Sequence, residues 1–170
     1  RSIKSVLSQT YKNIEYIFVD GGSEDDTLDV IRKFDKYVTH IISEKDNGIY
    51  DAMNKGIKIA TGDVIYFLNS DDSFYDERVV SDVVDEFNLD IDLIIGRVKE
   101  INVPRDILPY LRVPKINSKK DMLNQTICHQ AIFSRKSLFK KIGMFNIKYM
   151  VYADYNWLIK LFSCNNIKVK

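Results

Sequence analysis

The segment DVIYFLNSDD, residues 63–72, decides which fold the sequence predicts. Its first seven residues are mostly β-branched, aromatic and apolar, which is typical of a buried strand. Asp71 and Asp72 follow this strand directly, and two adjacent carboxylates repel each other unless they are solvated, protonated or neutralised by a cation. The segment therefore predicts a strand that ends at a candidate cation site.

Strand patterns and helical patterns alternate on both sides of this segment. Ser23 is the expected cap of the helix after the first strand, and Gly62 is the expected end of the helix that begins at Ile49. This alternation is typical of an α/β fold with a mostly parallel sheet and helices on both faces. The predicted strands are residues 15–20, 39–43, 63–69 and 92–96, and a further helix is predicted over residues 77–87.

The last third of the chain is less regular. Residues 102–118 contain all three prolines, Pro104, Pro109 and Pro114, and predict a loop or irregular excursion. A strand at 128–134, a helix that ends at Gly143 and a helix at 153–163 are predicted after it. The chain begins on a helical pattern and stops on the pattern of an incomplete strand, so we expect a single domain that is truncated at both ends.

The composition excludes several classes of protein. The chain has 170 residues, of which 45% are hydrophobic and 29% charged, as in soluble globular domains. It has neither an apolar run near the ~20 residues of a membrane helix nor the pattern of a secretory signal. A net charge of +1 with mixed signs argues against a nucleic-acid partner, and two isolated cysteines fit a reducing cytoplasm.

Acidic side chains follow three of the predicted strands. Asp20 ends the first strand, Glu44 and Asp46 follow the second, and Asp71 and Asp72 follow the third. In open α/β sheets, ligands bind at the edge formed by the carboxyl ends of parallel strands. Carboxylates suit Mg²⁺ or Mn²⁺, and a metal held by few of them keeps coordination positions for a diphosphate. The pattern predicts a metal held by Asp71 and Asp72.

The phosphate-binding motifs of nucleotide proteins are absent, since the sequence has neither GxxxxGK[ST] nor GxGxxG. Gly21 and Gly22 form the only glycine pair, and three acidic residues follow Ser23. This turn would repel a bare phosphate, but its backbone can approach a base or ribose, with Asp20 accepting a hydrogen bond from it.

Simpler interpretations exist for each of these features alone. The Asp71–Asp72 pair is also typical of a solvated turn. Residues 21–23 suit a turn with a helix cap, and Asp51 suits a helix dipole. Only the recurrence of acids at three strand ends favours a binding site.

Four segments together resemble the family 2 glycosyltransferases of the GT-A fold. They match in order and spacing from about residue 2 to about residue 163. The resemblance implies one GT-A domain over 1–170, with a nucleotide-binding half at 1–100 and an acceptor and catalytic half at 101–170. The segments are VDGGSEDDT, EKDNGIYDAMNKGIKIATGDVIYFLNSDD, HQAIFSRKSLFKKIGMFN and ADYNWLIKLF.

The resemblance implies an inverting, metal-assisted hexosyl- or hexosaminyltransferase with a nucleotide-sugar donor, expected to be a UDP-sugar, and Mn²⁺ or Mg²⁺ as cofactor. It implies that Asp154 is the catalytic base and that Asp71, with Asp72 beside it, holds the metal. The acceptor is expected to be a saccharide or lipid-linked saccharide of polysaccharide biosynthesis. The protein is expected in the cytoplasm, including peripheral association with the inner face of the membrane. The implied substrate-binding residues are Asp20, Gly21, Gly22, Ser23, Asp46, Asp51, Lys55, Asn69, Ser70, His129 and Gln130.

The sequence departs from the family pattern at three places. Asn69 stands where the commoner DxD motif has its first Asp, and residues 52–54 read AMN instead of ARN. From the family pattern, Asp51 or Lys55 is expected to take the place of the arginine. The family's opening strand, with its P-x-Y-N-like motif, is not present in the chain.

Several alternatives stay open. From spacing alone, Asp154 suits the N-cap of the last helix as well as a general base, and His129 suits a ligand role or a core position equally. Lys55 suits a solvated surface position. The chain as a whole could also be a non-catalytic nucleotide-sugar binder, a nucleotidyltransferase or a receiver domain.

Overall fold

The structure is a computed structural model, and it describes residues 1–87, 90–101, 111–112, 120–121 and 127–170. The three prolines of the predicted excursion lie outside these described residues. Among the described helices, none combines the length and the apolar character that crossing a lipid bilayer requires.

The first part of the chain is an α/β unit. Strand β1 (Ile17–Asp20) pairs in parallel with β2 (His40–Ser43), with Asp20 opposite Ser43 at the carboxyl ends. Helix α3 (Ile49–Ile59) packs against β1, because its apolar side chains recur on one face. The other helical elements of this part are α1 (Ser2–Leu7), α2 (Thr27–Arg32) and a 3₁₀ turn at Asp35–Tyr37.

The second sheet has its central strand out of chain order. Strand β7 (Ile132–Arg135) lies between β3 (Val64–Tyr66) and β4 (Leu93–Ile95) and is antiparallel to both. Strands β3 and β4 are therefore parallel to each other, as the alternating pattern predicts, but an antiparallel strand separates them. The remaining elements are α4 (Val79–Glu86), the strand pair β5 (Val98–Lys99) and β6 (Leu111–Arg112), a 3₁₀ turn at His129–Ala131, α5 (Lys136–Ile142) and α6 (Ala153–Leu161).

One apolar core joins the second sheet to α3, α5 and α6. Leu93 of β4 and Leu161 of α6 are fully buried. Trp157 stacks on Phe139 with ring centroids 4.7 Å apart and donates its indole N–H to the carbonyl of Gly143. This packing fixes α6, the helix that carries Asp154, against the sheet.

Two predicted helix ends are wrong, and one is right. Helix α2 begins at Thr27 rather than after Ser23, because the Ser23 hydroxyl donates to the buried Asp20 instead of capping the helix. Helix α3 ends at Ile59, and the amides of Thr61 and Gly62 donate to the Glu15 carboxylate, so the end needs no left-handed glycine. Gly143 does end α5, with φ +94°.

Candidate active site

Asp20 organises the turn that follows β1. Its buried carboxylate accepts hydrogen bonds from the hydroxyls of Ser23 and Ser43 and from the amides of Gly22 and Ser23. Burial alone would raise the pKa of Asp20, but these donors outweigh it and hold the pKa below its ordinary value. The side chain is therefore an ionised anchor of the turn at residues 21–23.

The glycine pair lets this turn approach the loop after β2. A Cβ atom on Gly21 would lie 2.6 Å from the Asp46 carboxylate, and Gly22 has φ +87°, a conformation that glycine adopts at little cost. Asp46 in turn accepts a hydrogen bond of 2.8 Å from the Gly48 amide. The turn at Gly21 and Gly22 thus lies in close contact with Asp46 of the loop after β2.

Asp51 and Lys55 are occupied by contacts within their own neighbourhood. Asp51 lies in the first turn of α3 and accepts hydrogen bonds from the backbone and side-chain nitrogens of Asn47, which resembles a capping box. The Lys55 ammonium lies 2.9 Å from Glu44 and donates to the Lys45 carbonyl. The ion pair with Glu44 raises the pKa of Lys55. Both side chains brace the loop at residues 44–48.

A chain of hydrogen bonds joins three distant segments around Asp154. His129 Nδ1 lies 3.0 Å from Asp154 Oδ2, and His129 Nε2 lies 3.3 Å from Asn69 Oδ1. The Tyr50 hydroxyl donates to Asp154 Oδ1 over 2.8 Å. The 3₁₀ turn before β7 and the first turns of α3 and α6 therefore meet at the Asp154 carboxylate, and the segment after β3 joins them through His129.

The electrostatics of this cluster keep Asp154 ionised. Burial by itself would raise the pKa of Asp154, but hydrogen bonds from His129, Tyr50 and the Tyr155 amide prevail and lower it. Burial, and next the hydrogen bond to Asp154, raise the pKa of Tyr50 to about 12. Around neutral pH, Tyr50 is therefore a neutral donor to a charged carboxylate.

Asp154 is not the N-cap of α6. Tyr152 holds that position with φ +68°, and Asp154 lies one residue inside the helix. Its carboxylate points toward His129 and Tyr50 rather than toward the open amides two and three residues further on. The capping interpretation is therefore wrong, whereas an anionic base beside two donors is chemically reasonable.

The candidate metal residues lie next to this cluster. The backbone turns tightly here, since the Asp72 amide donates to the Asn69 carbonyl, and Gln130 donates from its side-chain amide to Asp72 Oδ2 over 3.1 Å. Ser70 and Asp71 are exposed. Within the described part of the chain, neither Asp71 nor Asp72 forms a salt bridge, and no three metal-ligating side chains cluster.

Apolar surface borders the cluster on two sides. A small cavity lined by Phe67, Phe145 and Trp157 opens beside His129 and Asp154. Immediately before α6, the side chains of residues 147–152 are unusually exposed for their type, and Met150 reaches 90%. The aromatic and apolar side chains of that segment are Ile147, Tyr149, Met150, Val151 and Tyr152.

The structure brings the predicted residues together in two groups that α3 connects. One group surrounds the turn after β1 and the loop after β2, and the other surrounds Asp154. Tyr50, which sequence reasoning missed, joins them because it follows that loop by two residues and contacts Asp154. The sequence signal for Tyr50 is faint, since a tyrosine at an apolar helix position ordinarily indicates core packing.

The chain resembles glycosyltransferases in sequence. Residues 1–164 match the family described as Glycosyl transferase family 2. The chain is 34% identical over 171 residues to the "PGL/p-HBAD biosynthesis glycosyltransferase" of Mycobacterium bovis (strain BCG / Pasteur 1173P2), which covers 95% of the chain and 63% of that relative. It is 35% identical over 167 residues to an uncharacterized glycosyltransferase of Mycobacterium tuberculosis (strain ATCC 25618 / H37Rv), and this match covers 94% of the chain and 62% of that relative. The chain thus spans somewhat less than two thirds of the length of these curated relatives.

Solved structures show the same fold. The crystal structure of S. aureus TarS 1-349 in complex with UDP matches 99% of the chain and 52% of its own length, with a TM-score of 0.74 and 23% identity. The mannosyltransferase PcManGT from Pyrobaculum calidifontis, in complex with GDP-Man and Mn²⁺, matches 99% of the chain and 48% of its own length, with a TM-score of 0.71 and 14% identity. The predicted GT-A fold is therefore confirmed. Together with the match over residues 1–164, these findings show that the chain belongs to glycosyl transferase family 2.

Proposed function

We propose that this chain is the catalytic part of an inverting glycosyltransferase that moves a sugar from a nucleoside diphosphate, expected to be UDP, to an acceptor hydroxyl. The observation that carries this proposal is the Asp154 carboxylate, held by His129 and Tyr50 beside the DxD-like residues 69–71. The family match and the complexes of structural neighbours with UDP and GDP-Man support the donor class.

Asp154 is the proposed general base. Its carboxylate takes the proton from the acceptor hydroxyl while the acceptor oxygen bonds to the anomeric carbon. The bond from that carbon to the diphosphate oxygen breaks with both electrons going to the diphosphate. Because attack comes from the opposite face, the sugar configuration inverts. His129 and Tyr50 keep the carboxylate ionised and oriented toward the acceptor.

Asp71 and Asp72 are the proposed ligands of Mn²⁺ or Mg²⁺. Two neighbouring carboxylates without a salt bridge to any described residue fit a cation that takes its remaining ligands from phosphate and water. A bound divalent ion would stabilise negative charge on the departing diphosphate. Gln130 holds Asp72 in place through its side-chain amide.

The turn at residues 21–23 and the loop at residues 44–48 form the proposed nucleotide surface. Asp20 makes this surface rigid, and Gly21 brings it within contact of Asp46. Direct contact of Asp20 with the base stays a prediction, with Ser23 and Asp46 as its neighbours. Asp51 and Lys55 are proposed to act on the donor through the loop that they brace.

The exposed segment at residues 147–152 is the proposed acceptor side of the site. It leads directly into α6 and Asp154, and its apolar and aromatic side chains suit a sugar face or the lipid of a lipid-linked saccharide. Such an acceptor would place the protein in the cytoplasm at the inner face of the membrane, within polysaccharide or glycolipid synthesis.

The test is release of nucleoside diphosphate from a panel of UDP-sugars and GDP-mannose, with Mn²⁺ and simple glycoside acceptors. We expect metal-dependent turnover that falls about 10²-fold or more in Asp154→Asn, while thermal unfolding still shows stabilisation by UDP with Mn²⁺. Binding of nucleotide by the original chain without any turnover would overturn the proposal and favour a non-catalytic nucleotide-sugar binder.

A further inference from the structure

Tyr50 carries a feature that core packing leaves unexplained. The residue is 9% exposed, and its ring packs within the main core, with its centroid 5.6 Å from that of Phe145. A phenylalanine would fill the same space. The hydroxyl extends beyond this packing and donates to Asp154, a residue 104 positions away in the chain.

Two side chains from other elements donate to Asp154 on different oxygens, and the Tyr155 amide of the next residue shares Oδ1 with Tyr50. Tyr50 bonds Oδ1 over 2.8 Å, and His129 bonds Oδ2 over 3.0 Å. The Tyr155 amide turns with the first turn of α6, so without Tyr50 only His129 would hold the carboxylate from outside its own helix, and terminal torsions of this kind have broad minima. Donors from α3 and from the turn before β7 thus fix the plane of the carboxylate, and Oδ2, which accepts one hydrogen bond from the described residues, has a lone pair for the acceptor hydroxyl.

Tyr50 also links the base to the nucleotide side of the site. It is the second residue of α3 and follows Gly48, the N-cap of that helix, by two positions; the Gly48 amide donates to Asp46. A displacement of the loop at residues 44–48 would therefore move the first turn of α3 and with it the donor to Asp154.

We infer that Tyr50 is a positioning residue for Asp154, whose hydroxyl holds the carboxylate in the plane needed to accept a proton from the acceptor. This inference rests on the proposed function. Tyr50 itself exchanges no proton in the reaction, because its pKa of about 12 keeps it protonated at working pH.

The test compares Tyr50→Phe with Tyr16→Phe. Tyr16 is a matched control because it is partly buried, lies directly before β1, and its hydroxyl contacts Ser2 of α1 rather than Asp154. We expect Tyr50→Phe to lower kcat about tenfold, by the loss of one hydrogen bond to a charged group, with the KM for the UDP-sugar changed less than twofold. Tyr16→Phe should leave both constants within twofold of the original chain.

A second readout is the titration of the Asp154 carboxyl carbon, followed by NMR without any substrate. The ionisable groups that face Asp154 among the described residues are His129 and Tyr50. Removal of the Tyr50 hydroxyl should raise the pH at which Asp154 titrates, and the acid limb of the kcat profile should move with it. A merely structural role of Tyr50 would change stability without moving either.

A third variant separates the inference from the proposed function. In an Asp154→Asn background, Tyr50→Phe should cause no further loss of rate, since the base on which it acts is gone. If Asp154→Asn keeps its activity, the proposed function fails in its choice of base. If Asp154→Asn is inactive but Tyr50→Phe matches Tyr16→Phe in kcat and in the Asp154 titration, only the positioning role is overturned. If Tyr50→Phe does not fold, replacement of Tyr50 by 4-fluorophenylalanine fills the place of the hydroxyl with an atom that cannot donate, and an unmoved Asp154 titration would equally overturn the role.

Discussion

The imidazole of His129 bonds the carboxylate of Asp154 through Nδ1 at 3.0 Å, although 25 residues separate them. Its other nitrogen faces Asn69 of the DxD-like element. One ring thus spans the distance between the proposed base and the proposed donor motif.

His129→Asn and His129→Gln should differ in activity. The amide of asparagine can replace the Nδ1 donor, whereas the longer glutamine places its amide near the Nε2 position and leaves Asp154 without this partner. Because a hydrogen bond to a charged group contributes about 1.5–3 kcal/mol, we expect the Gln variant to be at least about tenfold slower than the Asn variant. Equal kcat values for the two folded variants would contradict this role of Nδ1.

Asp20→Asn should destabilise the fold by about 2–3 kcal/mol, because the amide nitrogen would face donors that now bond a buried carboxylate. The pKa of Asp20 is lowered in the folded state, so its contribution is fully present above the unfolded pKa of about 3.9. It is lost as the pH falls through the folded pKa.

Urea unfolding at several pH values measures this effect. The difference in unfolding free energy between Asp20→Asn and the original chain should be constant from about pH 5 to pH 8 and should shrink below about pH 4. A difference that grew toward acid pH would show that the sign of the shift is wrong.

Asp71→Asn should abolish most of the thermal stabilisation that UDP with Mn²⁺ gives, because it removes an exposed carboxylate from the proposed metal site. Asp72→Asn should have a smaller effect, since one oxygen of Asp72 already accepts from Gln130. Asp85→Asn on α4, another exposed position, is the control and should retain the full shift. Equal manganese-dependent shifts in all three variants would rule out this pair as metal ligands.

Met150→Ser should raise the KM for an acceptor with an apolar tail severalfold and leave the KM for the donor unchanged, because Met150 is 90% exposed beside the proposed acceptor side. Val30→Ser, at an exposed position on α2, removes apolar surface elsewhere and should change neither constant. A rise in donor KM for Met150→Ser would place this segment on the nucleotide side.

Gly56→Ala should stabilise the fold by about 0.5–1 kcal/mol, since alanine loses less backbone freedom in a helix. Its Cβ would lie 3.5 Å from a methyl group of Val19, an ordinary van der Waals distance. Gly21→Ala is the contrasting variant, because its Cβ would meet Asp46 at 2.6 Å. Urea midpoints should therefore rise for Gly56→Ala and not for Gly21→Ala.

The helix and strand pattern was predictable because it depends on neighbours in the chain. The strand that ends at Asp20 and the helix that begins at Ile49 follow from local periodicity. The cap at Ser23 was not predictable, because the buried carboxylate of Asp20 takes its hydroxyl. Local rules cannot weigh a helix cap against a competing partner whose burial depends on the sheet.

Apolar spacing and motif order are properties of the chain alone, and they were sufficient to predict the α/β class, the family and the placement of acids after successive strands. The insertion of β7 between β3 and β4, the meeting of Tyr50 and His129 at Asp154, and the contact of His129 with Asn69 became visible in the folded chain. The physical reason is that a hydrogen bond forms only within about 3 Å. Packing of the core, rather than any sequence spacing, brings residues 104 positions apart to that distance.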